Sequence, residues 1–143
     1  NVQVRFLGDV DAFDPQLREL IDETIRASEK KTGMVLNIAL NYGGRAEILH
    51  AARTLAREAR EGAVRPEEIG EAEFSRRLYT AGQPDPDLIL RPSGERRLSN
   101  FLLWQCAYSE FVSMDILWPD FRPKDLDQAL QAYAARNRRF GGV

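Results

Sequence analysis

The spacing of apolar residues changes several times along this chain, and each change predicts an element. Residues 2–8 (VQVRFLG) alternate and are rich in β-formers, which predicts a strand. Leu17, Leu20, Ile21 and Ile25 then recur at helical spacing. Asp14 can cap that helix, Pro15 suits its first position and Gly33 marks its stop. Residues 34–40 (MVLNIAL) form a continuous apolar run but for Asn37, the pattern of a strand buried on both faces. A turn at 41–45 (NYGGR) leads into an amphipathic helix over 45–62, with Ile48, Leu49, Ala52, Leu55, Ala56 and Ala59 facing one way. Residues 65–82 read as two short helical pieces. A third strand is expected at 87–91, a helix at 99–111, a fourth short strand at 112–117 and a last helix starting near Pro123.

Strands that alternate with helices predict an α/β fold, a mainly parallel central sheet with flanking helices. The 143 residues suffice for one domain with a real core. Residues 1–143 are therefore read as a single α/β domain. The opening directly into a strand suggests that it is the C-terminal part of a larger enzyme. Apolar and charged fractions of 43% and 29% are ordinary for a globular protein. A net charge of −2 gives no basic field for nucleic acid, so any anion site must be local. Cys106 stands alone, which leaves no disulfide framework and no thiolate metal site.

In open α/β sheets, ligands bind beyond the carboxyl ends of strands. Two loops qualify, 41–45 and 91–100. The first reads as a plain glycine-rich turn. The second, RPSGERRLSN, holds Arg91, Arg96 and Arg97 directly after an apolar strand. Guanidinium forks match phosphate oxygens, Gly94 admits close backbone approach, and Ser99 and Asn100 stand where the next helix should begin. The loop can hold a phosphate or diphosphate, or be a solvated loop with surface arginines and a helix cap. At least Arg96 should face water. Glu110 can be an ion-pair partner of this cluster or a Mg²⁺ ligand, the latter needing a second ligand from elsewhere. His50 is the only histidine and has no assigned role. Phe101, Trp104 and Tyr108 fall at helical spacing, as core or subunit-contact residues.

Four stretches together resemble the cis-prenyltransferases, the undecaprenyl diphosphate synthase family: LNIALNYGGRAEIL, DLILRPSGERRLSNFLLWQCAYSEF, ILWPDF and the closing RRFGG. They run in order over nearly the whole chain, and the segment from Arg91 to Phe111 is the most specific. The resemblance implies an enzyme that condenses isopentenyl diphosphate with an allylic diphosphate, such as farnesyl diphosphate. The product is a cis-polyprenyl diphosphate of the undecaprenyl type, a cell-wall lipid carrier. It implies Mg²⁺ as cofactor with Glu110 as ligand, and Arg91, Arg97, Leu98 and Ser99 as residues that bind isopentenyl diphosphate. It implies pairing of subunits, with a homodimer expected, Phe101 and Trp104 on the contact helix, and Arg139 and Gly141 of an Arg-x-Gly tail reaching the partner's site. Met34 and Leu36 match a strand flanking the family's hydrophobic tunnel. A cytoplasmic location with loose membrane association follows from the lipid product.

The match departs from the family in one large way. The Asp-Gly-Asn diphosphate loop of its first half does not occur in these residues, so no catalytic residue is assigned here. The alternative reading is a non-catalytic subunit of a heteromeric cis-prenyltransferase. The missing loop favours it, while retention of Arg91, Arg97, Ser99 and Glu110 favours the enzyme. Pro92 also stands where the family has Thr or Ser, which stiffens the loop and removes an N–H.

Overall fold

The computed structural model describes residues 1–136. The chain forms two compact units, one from Asn1 to Gln83 and one from Pro84 onward. The α/β class holds in both. The expected central sheet is present as two separate parallel pairs of strands, one per unit.

In the first unit, β1 (Val2–Leu7) pairs in parallel with β2 (Met34–Ala39), from Val2 opposite Met34 to Leu7 opposite Ala39. The connection carries α1 (Pro15–Ser28), and α2 (Gly44–Arg60) and the short α3 (Glu71–Ser75) follow. Asp14 caps α1 as its position predicts. Its carboxylate accepts the N–H groups of Gln16 and Leu17 at 3.0 and 3.1 Å, two donors the helix cannot satisfy itself. The helix stops at Ser28, short of Gly33, and Ser28 is buried. Its hydroxyl donates to the Ile25 carbonyl and accepts the Val4 N–H at 2.9 Å, tying the helix end to β1. Gly8 ends β1 at φ +125°, and a Cβ there would stand 2.0 Å from the Leu40 carbonyl oxygen. Only glycine fits that approach.

Two expectations about burial are corrected here. The apolar run of β2 is mostly exposed, Met34 at 64% and Leu36 at 44%. Among the described residues β2 pairs only with β1, and the helix packed on that pair, α1, lies against β1. On α2 the buried side is Gly44, Glu47, Ala51 and Leu55, whereas Leu49, Ala52 and Ala56 are exposed. The apolar count misplaced the face because a carboxylate belongs to it. Glu47 is fully buried, accepts the Tyr79 N–H at 2.8 Å and accepts the Tyr42 hydroxyl. It fastens the turn around Tyr79 to the start of α2. Tyr42 meets Tyr79 edge to face, and His50 stacks on Tyr79 with centroids 5.3 Å apart.

In the second unit, β3 (Leu88–Arg91) pairs in parallel with β4 (Glu110–Ser113), Leu88 opposite Glu110 and Arg91 opposite Ser113. The helix α3 is followed in sequence by α4 (Pro123–Ala134), which packs on β4 and buries Ala129. The Asp125 carboxylate accepts the Arg122 N–H at 2.8 Å at its start. The predicted strand at 112–117 begins two residues early and ends at Ser113.

The helix expected over 99–111 does not form. Ser99, Asn100 and Leu102 have φ of +50°, +64° and +44°, which no right-handed helix admits. The segment is instead a chain of turns, such as Cys106 N–H to Leu102 carbonyl at 2.9 Å and Ser109 N–H to Cys106 carbonyl at 3.1 Å. Phe101, Trp104 and Tyr108 therefore do not form a helical stripe.

Replacing the buried Glu47 by alanine should destabilise the protein by about 2–4 kcal/mol, because a half-buried N–H and a half-buried hydroxyl lose their acceptor. Glu47→Gln keeps an acceptor oxygen and should cost markedly less. Thermal unfolding of both variants checks this; equal losses would show that shape, not hydrogen bonding, is what Glu47 provides.

Candidate functional site

The site is built where β3 ends. Arg91 is the last residue of the strand, so its guanidinium leaves the sheet at the carboxyl edge. The chain is then held close to the segment that leaves β4. Ser93 N–H donates to the Ile116 carbonyl at 2.7 Å and Gly94 N–H to the Met114 carbonyl at 2.9 Å. Gly94 has φ +66°, and a Cβ would lie 2.9 Å from an Asp115 carboxylate oxygen. With both ends of this turn pinned, the loop returns toward β3. Arg91 Nη2 then donates to Ser99 Oγ at 3.4 Å.

The predicted residues are placed differently. Arg91 and Ser99 are brought together. Arg97 stays close in sequence but is turned away, 72% exposed and paired with Glu95 at 3.0 Å. Arg96 faces solvent as expected. Leu98 is half-buried and lines, with Leu88, Ile89, Leu90, Phe101 and Leu102, a cavity of about 390 Å³. Arg91 lies on the same lining and is its one charged residue. Glu110 is elsewhere. It opens β4 opposite Leu88, three residues along the strand from the position opposite Arg91, or roughly 10 Å at strand rise. Its Oε2 accepts from Arg136 Nη1 at 2.6 Å. Arg139 and Gly141 lie outside the described residues.

The donor set does not close a Mg²⁺ site beside this loop. Glu110 is a lone carboxylate paired with a guanidinium at the other end of the strands, and no group of three or more potential ligands occurs among the described residues. Mg²⁺ calls for near-octahedral oxygen, usually one or two carboxylates with phosphate oxygens and water. The helix N-terminus expected to receive an anion at Ser99 and Asn100 is also absent, because no helix starts there.

Two features went unread in the sequence. The apolar cavity against Arg91 is one, since its lining comes from β3 and from a loop ten residues later. The other is backbone strain. Four of the five non-glycine residues with positive φ among the described residues fall between 93 and 102. Such conformations persist where surrounding contacts over-determine them, as at ligand loops. The only hint in the sequence was the density of Ser, Gly and Asn.

Residues 1–141 match the family described as putative undecaprenyl diphosphate synthase. The chain belongs to this family of prenyltransferases. It is 50% identical over 143 residues to the isoprenyl transferase of Bacillus subtilis and 51% identical over 144 residues to that of Thermus thermophilus. These alignments cover 100% and 98% of this chain and 55% of each relative, so the chain spans about half the length of the curated relatives it matches. Among solved structures, lavandulyl diphosphate synthase from Lavandula x intermedia in complex with dimethylallyl diphosphate superposes with a TM-score of 0.94. That match has 40% identity and covers 99% of this chain and 61% of the other. A probable undecaprenyl diphosphate synthase from Campylobacter jejuni gives 0.84 at 30% identity, over 99% and 64%. No helix among the described residues is long and apolar enough to cross a membrane.

Within the strained loop, burial pushes the Cys106 thiol pKa above its ordinary value, with the Asp85 carboxylate adding to the rise and a Ser109 hydrogen bond opposing it. A raised pKa lowers the thiolate fraction at neutral pH. Alkylation of Cys106 by iodoacetamide at pH 7.5 should therefore be slower than in the denatured chain and accelerate only at distinctly alkaline pH. Alkylation as fast as in the denatured chain would contradict this environment.

Proposed function

We propose that this chain carries the isopentenyl diphosphate subsite of a cis-prenyltransferase. The observation that carries the reading is the meeting of Arg91, bonded to Ser99, with a cavity otherwise lined by Leu, Ile, Pro and Phe. A short apolar tail joined to a diphosphate head uses both halves of that arrangement. A free phosphate would leave the cavity empty, and a plain hydrocarbon would leave the guanidinium without an anion. The complex of a structural relative with dimethylallyl diphosphate supports the ligand class.

On this reading Arg91 and Ser99 take the diphosphate and Leu98 walls the tail. Arg97 exchanges Glu95 for a phosphate oxygen, an exchange made easy by the weakness of exposed ion pairs. Fixing the head places the isopentenyl double bond for reaction. In the condensation the allylic C–O bond breaks and pyrophosphate leaves. The isopentenyl double bond supplies the electrons of the new C–C bond, and loss of a proton restores a double bond. The chain's own residues would bind and orient. If Glu110, together with oxygen ligands from outside the described residues, held Mg²⁺, the ion would supply charge neutralisation for the leaving pyrophosphate. We include in the proposal a homodimer, since Glu110 and Arg91 of one chain stand apart and outside groups must complete each end. Arg139 and Gly141 would contribute across that pairing. A cis-polyprenyl product implies a cytoplasmic enzyme that works against the membrane surface.

Calorimetric titration tests the subsite. The chain should bind isopentenyl diphosphate more tightly than inorganic pyrophosphate, because only the former fills the cavity. Arg91→Ala should weaken both by about tenfold or more. Leu98→Asn should remove the preference while leaving pyrophosphate binding. Unchanged affinity in Arg91→Ala would sink the reading, and equal affinity for both ligands in the unaltered chain would remove the tail pocket from it.

Arg97→Ala should weaken isopentenyl diphosphate more than the allylic substrate in an active enzyme, yet less than Arg91→Ala does. Steady-state KM values for the two substrates check this. Equal loss for both would count against the role given to Arg97.

A further inference from the structure

The first unit holds a larger cavity, of about 950 Å³, that prenyl transfer as read above does not use. One wall is the loop after β1, with Asp9 and Asp11. The other is a face of α2 with His50, Arg53, Arg57 and Arg60. These four positions are spaced by three, four and three residues, so they share one side of the helix. They cover about 15 Å of helix axis at the usual rise.

The arginines of this row are poorly neutralised. Arg53 makes no hydrogen bond or ion pair with any other described residue. Arg57 donates to the Thr54 hydroxyl at 3.3 Å. Arg60 stands 3.8 Å from Glu61, with both side chains more than half exposed. Glu58, the remaining carboxylate in the second half of the helix, is taken by Arg77. Like charges three and four residues apart repel along a helix, so an unneutralised row costs the free protein stability. Across the cavity, neither the Asp9 nor the Asp11 carboxylate makes an ion pair with any described residue. The two walls are therefore oppositely charged and held apart. Burial raises the pKa of Tyr79, and the carboxylates of Asp9, Glu47 and Asp11 add to the rise in that order.

We propose that the α2 row Arg53–Arg57–Arg60 is a binding site for a linear oligophosphate. Three guanidiniums set in line match successive phosphate groups better than one ion, and each fork can grip two oxygens. The carboxylates of Asp9 and Asp11 repel the anion from the loop side and confine it to the helix. The stacked His50 and Tyr79 rings border the row and provide an aromatic surface at one end. Both the free oligophosphate and the triphosphate of a nucleotide have the required chemistry.

The test is a titration of the Arg91→Ala chain, which removes the proposed diphosphate subsite of the second unit from the measurement. Inorganic tripolyphosphate should bind at least about tenfold more tightly than orthophosphate, with affinity falling as salt rises. Arg53→Glu/Arg57→Glu should lower tripolyphosphate affinity by about tenfold or more, while thermal unfolding confirms that these exposed substitutions leave the fold intact. Asp9→Asn/Asp11→Asn should raise it by about two- to threefold, the opposite sign, which general loss of structure cannot produce. Adenosine triphosphate tighter than tripolyphosphate would place the source among nucleotides, and equal affinity would place it among free oligophosphates. Tripolyphosphate binding that is absent, or unchanged by Arg53→Glu/Arg57→Glu, overturns the proposal. Because the site lies in the first unit, its failure would leave the reading of Arg91 and Ser99 untouched, and the reverse holds.

Discussion

Parallel pairing is the constraint on which the second unit depends. Two parallel strands cannot be joined by a tight turn, because the chain must travel back along the first strand before the second begins. Here the return run is residues 92–109, and it is made of turns. It starts at the carboxyl edge with Arg91 and finishes at the opposite edge, where Ser109 Oγ bonds the Pro86 carbonyl and Glu110 N–H bonds the Asp87 carbonyl at 2.9 Å. The placement of the candidate site residues follows from that path. Ser99 can meet Arg91 because the run folds back early, and Glu110 cannot because the run has by then reached the other end.

The same path accounts for the strain. A regular helix over 99–109 would carry the chain away from β3 without returning Ser99 to Arg91. The left-handed turns at Ser99, Asn100 and Leu102 instead keep Leu98, Phe101 and Leu102 against the strand. At Leu102, which is only 9% exposed, burial offsets the unfavourable conformation. The apolar cavity and the distorted backbone are thus two results of one arrangement.

In the first unit the organising group is polar. Glu47 is buried, accepts from the Tyr42 hydroxyl and the Tyr79 N–H, and draws the turn around Tyr79 onto α2. That turn also carries the ring on which His50 stacks. Rotating α2 so that Glu47 points inward leaves Arg53 and Arg57 outward, beside the loop after β1. One buried carboxylate thereby sets which side of the helix carries positive charge toward solvent.

Much of this was legible in the chain itself. Local chemistry decided the cap at Asp14 and Pro15, the strands at 2–7, 34–39 and 88–91, and the family to which the residues from Arg91 to Phe111 point. Those features depend on neighbours a few residues away, so spacing and residue type suffice. The burial of β2, the inward face of α2, the absence of a helix after Ser99 and the separation of Glu110 from Arg91 were decided elsewhere. Each turns on which segment lies alongside at long range. An apolar run states what a strand can bury, but a second element must arrive to bury it. A glutamate reads as a surface residue until donors such as the Tyr79 N–H and the Tyr42 hydroxyl surround it. A parallel register separates residues that the sequence lists as near neighbours of one motif.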